Sequence, residues 1–203
     1  MKVNFKSLLH LFLGAFLMLA QPIKAHNVLP QPQSLQTNNE QFVLNNNTVV
    51  ATNLKGEART RIADAVKELF PQVKKQGSAG KKRNVINIKV TGTERDVEQI
   101  ASNKTFQSYQ LNVNKDGVFI VSPTEAGAFY ALQTLVGLQK APSTLQGCKV
   151  VDEPRFNWRG YMIDCSRHYW TPAFIKKQID MMAHLKLNQI GRASCRERVC
   201  LYV

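Results

Sequence analysis

Residues 161–188 constrain the fold more than any other stretch. Tyr161-Met162-Ile163-Asp164-Cys165 is a mostly apolar run, suited to a strand covered on both faces. Thr171-Pro172 reads as an N-cap and N1 pair, and Ile175, Ile179, Met182 and Ala183 mark a helix ending near Lys186-Leu187. Leu187-Asn188 then enters another strand. Strand, loop, helix, strand is the opening of a βαβ series, which belongs to a parallel sheet or barrel. A complete barrel takes about 250 residues. This chain has 203, most of them before residue 152. The expectation is therefore the first βα unit of a truncated (β/α)8 barrel over residues 152–190, attached to a separate N-terminal unit.

That preceding unit, residues 26–151, reads as α+β. Gln41–Leu44 and Thr48–Ala51 are short strands around an Asn45-Asn46-Asn47 turn. Ile62, Val66 and Leu69 recur at helical spacing over residues 57–70. Ile86, Ile88 and Val90 alternate with Asn87 and Lys89, as in a half-buried strand. Residues 110–121 form a hairpin about Asn114-Lys115-Asp116-Gly117. Ser122-Pro123-Thr124-Glu125 fits a capping box with Ser122 as N-cap, opening a helix to about Gln139. This unit has enough chain to fold alone. One barrel strand and one helix do not, since Ile163, Ile179 and Met182 would have nothing to cover them, so protease should spare a core ending near residue 150.

Residues 1–25 read as a signal peptide. Lys2 and Lys6 form a basic start, the run from Leu8 to Ala20 is apolar but too short to span a bilayer comfortably, and Ile23-Lys24-Ala25 offers a cleavage site. The mature chain is expected outside the cytosol, periplasmic or extracellular, lysosomal in a eukaryote, and off the membrane once the leader is removed. The formal charge of +13 invites a nucleic-acid reading. Three of its lysines lie in the leader, and Lys81-Lys82-Arg83 is the one basic cluster of the mature chain, in a polar loop. Nucleic acid is therefore not expected as a partner. Of the four cysteines, Cys148 and Cys165 are read as free thiols rather than a pair, and no His/Cys spacing suggests a metal.

Polar and aromatic residues crowd together between Asp152 and Trp170. Asp152, Arg155, Arg159, Asp164, Arg167 and His168 interleave with Phe156, Trp158, Tyr161, Tyr169 and Trp170. Guanidinium forks and flat aromatic faces suit a sugar, whose ring presents hydroxyls at its edge and C–H groups on its faces. Taken singly, each of these residues fits a structural ion-pair network at the strand ends better than a site.

The motifs Val151-Asp152-Glu153-Pro154-Arg155-Phe156-Asn157-Trp158-Arg159-Gly160, Ile163-Asp164-Cys165-Ser166-Arg167-His168-Tyr169 and Lys186-Leu187-Asn188 together resemble glycoside hydrolase family 20, the exo-acting β-N-acetylhexosaminidases. Leu29-Pro30-Gln31-Pro32 and the stretch 122–138 resemble that family's N-terminal accessory domain. The resemblance implies that Arg159 binds ring hydroxyls of a terminal N-acetylhexosamine and that Asp164, Arg167 and His168 contribute to the wall of the site. It implies a structural Asn188, no cofactor, and a glycan as partner.

The resemblance also implies an adjacent Asp-Glu pair: the Glu protonates the leaving oxygen, and the Asp orients the substrate's acetamido group for attack on the anomeric carbon. Asp152-Glu153 matches in letters only, because it precedes the first barrel strand. No catalytic residue is expected in this chain, and the chain itself is expected to be inactive. Residues 191–203 depart from the family and back-translate to a string resembling a DNA-sequencing adapter, so they are expected to be a read-through tail. The alternative is a naturally short exported module that binds carbohydrate without catalysis.

Overall fold

The computed structural model describes residues 28–77, 83–92, 97–166 and 168–193. The leader, Lys81 and Lys82 of the basic triplet, Arg167 and most of the proposed tail lie outside the described residues.

An eight-stranded sheet occupies the first unit, in the order β1-β8-β5-β6-β4-β2-β3, with β7 on the side of β8. The strands are β1 (Ser34–Val43), β2 (Val49–Thr52), β3 (Lys75–Gly77), β4 (Val85–Val90), β5 (Tyr109–Asn114), β6 (Gly117–Ser122), β7 (Gln139–Ala141) and β8 (Thr144–Asp152). β2, β3, β4 and β6 run parallel, whereas β5 is antiparallel to both β6 and β8. Helices α1 (Gly56–Leu69) and α3 (Glu125–Gly137) pack on the sheet. Between β4 and β5 lie the short α2 (Val97–Ser102) and a 3₁₀ turn (Lys104–Gln107). Alternation does what the sequence requires of it: Ile86, Ile88, Leu111, Val113, Val118 and Ile120 are buried with Ile62, Val66, Leu132 and Leu135 of the helices. Lys89, Val121 and Val151 alternate to the outside.

Two expectations for this unit change. Thr124, not Ser122, caps α3: Thr124 Oγ1 accepts from Gly127 N, while Ser122 is buried and its hydroxyl donates to Ser108 O. Glu125, cast as the reciprocal partner of a capping box, instead takes a two-pronged bond from Arg61 of α1 at 2.8 and 2.9 Å. The helix ends at Gly137 rather than Gln139, because Gln139 starts β7.

The second unit is a parallel ribbon of β9 (Gly160–Asp164) and β10 (Gln189–Ala193) connected by α4 (Pro172–His184). Thr171 caps α4 with Pro172 at its first position, as read from the sequence. This is one βαβ unit and not a closed barrel. Ile163 and Met182 are buried, contrary to the expectation that nothing would cover them, and α4 packs on α3 of the first unit. Met162 is 57% exposed, so the β9 run is covered on one face and not on both, while Ile179 of α4 is 48% exposed, as expected. Cys148 is buried and Cys165 half-buried, both as free thiols; burial pushes the Cys148 thiol up to about 11.

Candidate functional site

β9 spreads the residues singled out by sequence to its two ends. Arg159 precedes the strand and Asp164 closes it, so their Cα atoms lie about 16 Å apart at the usual rise of an extended chain. Asp164 and His168 share the C-terminal end, where barrel enzymes build their sites. Arg159 lies at the opposite end.

At that N-terminal end the Arg159 guanidinium is held on several sides. Nε donates to Lys186 O at 2.8 Å, Nη1 to Phe156 O at 2.7 Å, and Nη2 to Gln107 Oε1 at 2.6 Å and Tyr130 Oη at 3.4 Å. It also lies over the Tyr130 ring, 5.6 Å from the centroid. Burial raises the Tyr130 phenol, and the neighbouring guanidinium partly offsets that rise. The Arg159 backbone is fixed too: its N–H donates to Asn188 Oδ1, and its carbonyl accepts from the N–H groups of Asn188 and Gln189. Asn188 Nδ2 donates to Asn157 O at 2.7 Å. Gly160 follows because a Cβ there would come 3.0 Å from the Trp158 indole.

A second polar cluster joins the two units a few residues away. Lys186 Nζ lies 3.0 Å from Asp152 Oδ2 and donates to Tyr109 Oη at 2.8 Å, and it is 5.0 Å from the Tyr109 ring centroid. Tyr109 Oη also donates to Asp152 Oδ2 at 2.8 Å and lies 2.6 Å from Thr134 Oγ1. Asp152 Oδ1 accepts from Gln33 N. Burial pushes the Lys186 ammonium down and the Tyr109 phenol up, the latter reinforced by the Asp152 charge. Glu153 pairs instead with Lys104. Asp152 thus joins the units while Glu153 pairs within the first, structural contacts rather than an acid/base pair.

At the far end Asp164 is exposed. Its Oδ1 accepts from Ser166 N and Ser166 Oγ, at 2.8 and 2.6 Å. Trp170 Nε1 donates to Asp164 O, and the Trp170 ring stacks on Phe174 and meets exposed His168 edge-on at 4.4 Å. Arg167 lies outside the described residues. Among the described residues no group of three potential metal ligands gathers. Sequence reasoning did not find Gln107, Tyr109, Tyr130 or Thr134. Their polar atoms sit on elements whose pattern announces only core, and the one available signal was Lys186 inside the Lys-Leu-Asn motif.

Residues 25–153 match the profile of glycosyl hydrolase family 20, domain 2, and residues 156–191 match that of the family 20 catalytic domain. The chain is 32% identical over 184 residues to a β-hexosaminidase of Porphyromonas gingivalis, covering 82% of this chain and 22% of that protein. It is 37% identical over 86 residues to the N,N'-diacetylchitobiase of Vibrio harveyi, covering 41% of this chain and 10% of that protein. Among solved structures, a Streptomyces plicatus β-hexosaminidase in complex with product GlcNAc superposes with a TM-score of 0.67 at 24% identity, covering 85% of this chain and 35% of that one. A Vibrio harveyi exo-β-N-acetylglucosaminidase in complex with N-acetylglucosamine gives 0.64 at 24%, over 85% of this chain and 27% of that one.

Proposed function

Since the chain belongs to glycosyl hydrolase family 20, we propose that it is the N-terminal part of an exported exo-β-N-acetylhexosaminidase. It would supply the accessory domain and the first βα unit of the catalytic barrel to an enzyme that removes terminal N-acetylhexosamine from glycans. One observation carries the reading. The two family matches follow one another at residues 25–153 and 156–191, and the described units meet through buried hydrogen bonds on both sides of that junction. The leader-like residues 1–25 support export.

Within this reading Arg159, expected from the sequence to bind the sugar, instead braces the joint: it lies at the end of β9 opposite Asp164, with its guanidinium bonded to Lys186 O, Phe156 O, Gln107 and Tyr130. Asp164 and His168 stand at the strand end that borders the site. The substrate's acetamido group attacks the anomeric carbon, and proton donation to the leaving oxygen, worth typically about 10²–10⁴ in rate, comes from a carboxylic acid downstream of these residues.

The test uses two proteins: the 203-residue chain and the longer protein encoded by an uninterrupted frame through residue 190. Chromogenic N-acetyl-β-glucosaminide and N-acetyl-β-galactosaminide should be hydrolysed by the second and not by the first. An inactive longer protein would overturn the enzyme assignment. Hydrolysis by the 203-residue chain would overturn the placement of the acid. N-terminal sequencing of material exported by an expressing cell checks the leader, and a mature chain still carrying Lys2 would refute it.

A further inference from the structure

One side chain touches the end of β9, the start of α4 and the histidine between them. Trp170 Nε1 donates to Asp164 O, the last carbonyl of β9, at 2.9 Å. The Trp170 ring lies nearly flat on Phe174, with centroids 4.3 Å apart and planes at 16°. His168 meets the same ring at 4.4 Å and 60°. Phe174 is itself fixed, because its N–H donates to Thr171 Oγ1 in the cap of α4. Core packing does not hold this stretch: Tyr169 is 79% exposed, His168 is exposed and Trp170 is only half-buried. Ring contacts and one hydrogen bond do so instead, since aromatic pairs have preferred geometries that bare area burial lacks. A leucine at this position could cover Phe174. It could not also reach the strand carbonyl with a donor, nor offer a ring to His168.

We propose that Trp170 is a positioning residue: tied to the Asp164 carbonyl and stacked on Phe174, it fixes the His168 imidazole at the end of β9 where barrel enzymes build their sites. The proposal rests on the reading of that strand end as the border of the glycosidase site. Without the indole, His168 keeps its place in the chain and loses the surface that sets its orientation.

The His168 imidazole is its own reporter by NMR. In the 203-residue chain its ring-proton resonances should stand apart from their positions in urea, because an aromatic ring lies 4.4 Å away. In Trp170→Leu they should move most of the way to the urea positions, while the amides of β9 and α4 keep their protection. Trp170→Phe keeps a ring on Phe174 and drops the N–H, so it should fall between the two. His168 resonances that match the urea positions in the unaltered chain, or that stay put in Trp170→Leu, would overturn the proposal. So would lost protection throughout β9 and α4, which would make Trp170 a fold-holding residue and nothing more. In the longer protein, Trp170→Leu should lower kcat/KM about fivefold when His168 is present and cost nothing further beside His168→Ala. Equal losses in both backgrounds would refute coupling through His168, and unaltered kinetics in His168→Ala would leave Trp170 nothing to position and refute it too. A longer protein with no hexosaminidase activity would sink the glycosidase reading and leave the NMR result standing.

Discussion

At Arg159 a planar fork with five donors ties the entry of β9 to the accessory unit through Gln107 and Tyr130. Arg159→Lys keeps the charge and loses the geometry, so the chain should lose roughly 1–3 kcal/mol of stability as its acceptors go unpaired. An unchanged urea midpoint would contradict the role. Sequence supplied this residue only through the family motif; its partners Gln107 and Tyr130 were invisible, because a buried amide and a phenol inside core-patterned elements leave no periodic trace. Titration offers a second test at this scale. The Tyr109 and Tyr130 phenols are held above their ordinary value of 10.0 in the folded chain. The native state therefore keeps protons that the unfolded chain releases above about pH 10. Their contribution is fully present below that pH and is lost as pH rises beyond it. Lys186, pushed down by burial, has the opposite sign and gains stability with rising pH until the unfolded lysine titrates. Urea midpoints measured from pH 8 to 11.5 should fall on the alkaline side for the unaltered chain. The fall should be shallower in Tyr109→Phe, and an unchanged slope would count against the Tyr109 shift.

Among the elements, α3 makes the sharpest prediction. Glycine inside a helix ordinarily costs about 1 kcal/mol against alanine, so Gly127→Ala should stabilise on propensity alone. A Cβ at Gly127, however, would collide with Ser108 O and Ser122 Oγ. Gly127→Ala should therefore destabilise by roughly 1–3 kcal/mol, as overpacking does, and a raised Tm would show that the 3₁₀ segment yields easily. The same crowding explains why the cap was misplaced. Ser-Pro-Thr-Glu spells a capping box on paper, but Ser122 is spent as the last residue of β6, bonded to the Ser108 carbonyl. Strands with clean alternation, β4 and the β5–β6 hairpin, were legible, as were the length of α1 and the cap of α4, though α4 stops at His184 short of Lys186-Leu187 and leaves Ile179 exposed. β8 was not read, although it lies between β1 and β5. Gln146 and Gly147 interrupt its alternation, and both are buried with their neighbours, so the period-two signal fails.

For the whole molecule, the connection between the two units is the point of interest. Phe156 and Trp158 stand 64% and 65% exposed beside a joint made of buried polar contacts. Chymotrypsin should nick the chain there, yet the two pieces should stay together on gel filtration, because the ion pair, the Arg159 bonds and the packing of α4 on α3 all cross the joint. Asp152→Ala should let them separate. Separation of the nicked but otherwise unaltered chain would show that the joint is weaker than its geometry implies. The burial of Ile163 and Met182 departs from the sequence-based picture of an uncovered part beyond residue 151, while Ile179 stays exposed as that picture had it. The pairing of Ser34 with Val151 has a consequence for synthesis as well. β1 emerges from the ribosome more than a hundred residues before β8, its neighbour in the sheet, so it must wait, unpaired, through nearly the whole of this unit's translation. Once Asp152 has emerged, β8 can complete the sheet, and the next segment delivered is β9. The opening strand of the catalytic unit then meets a finished surface, and it is Lys186, some thirty residues later, that fastens it there.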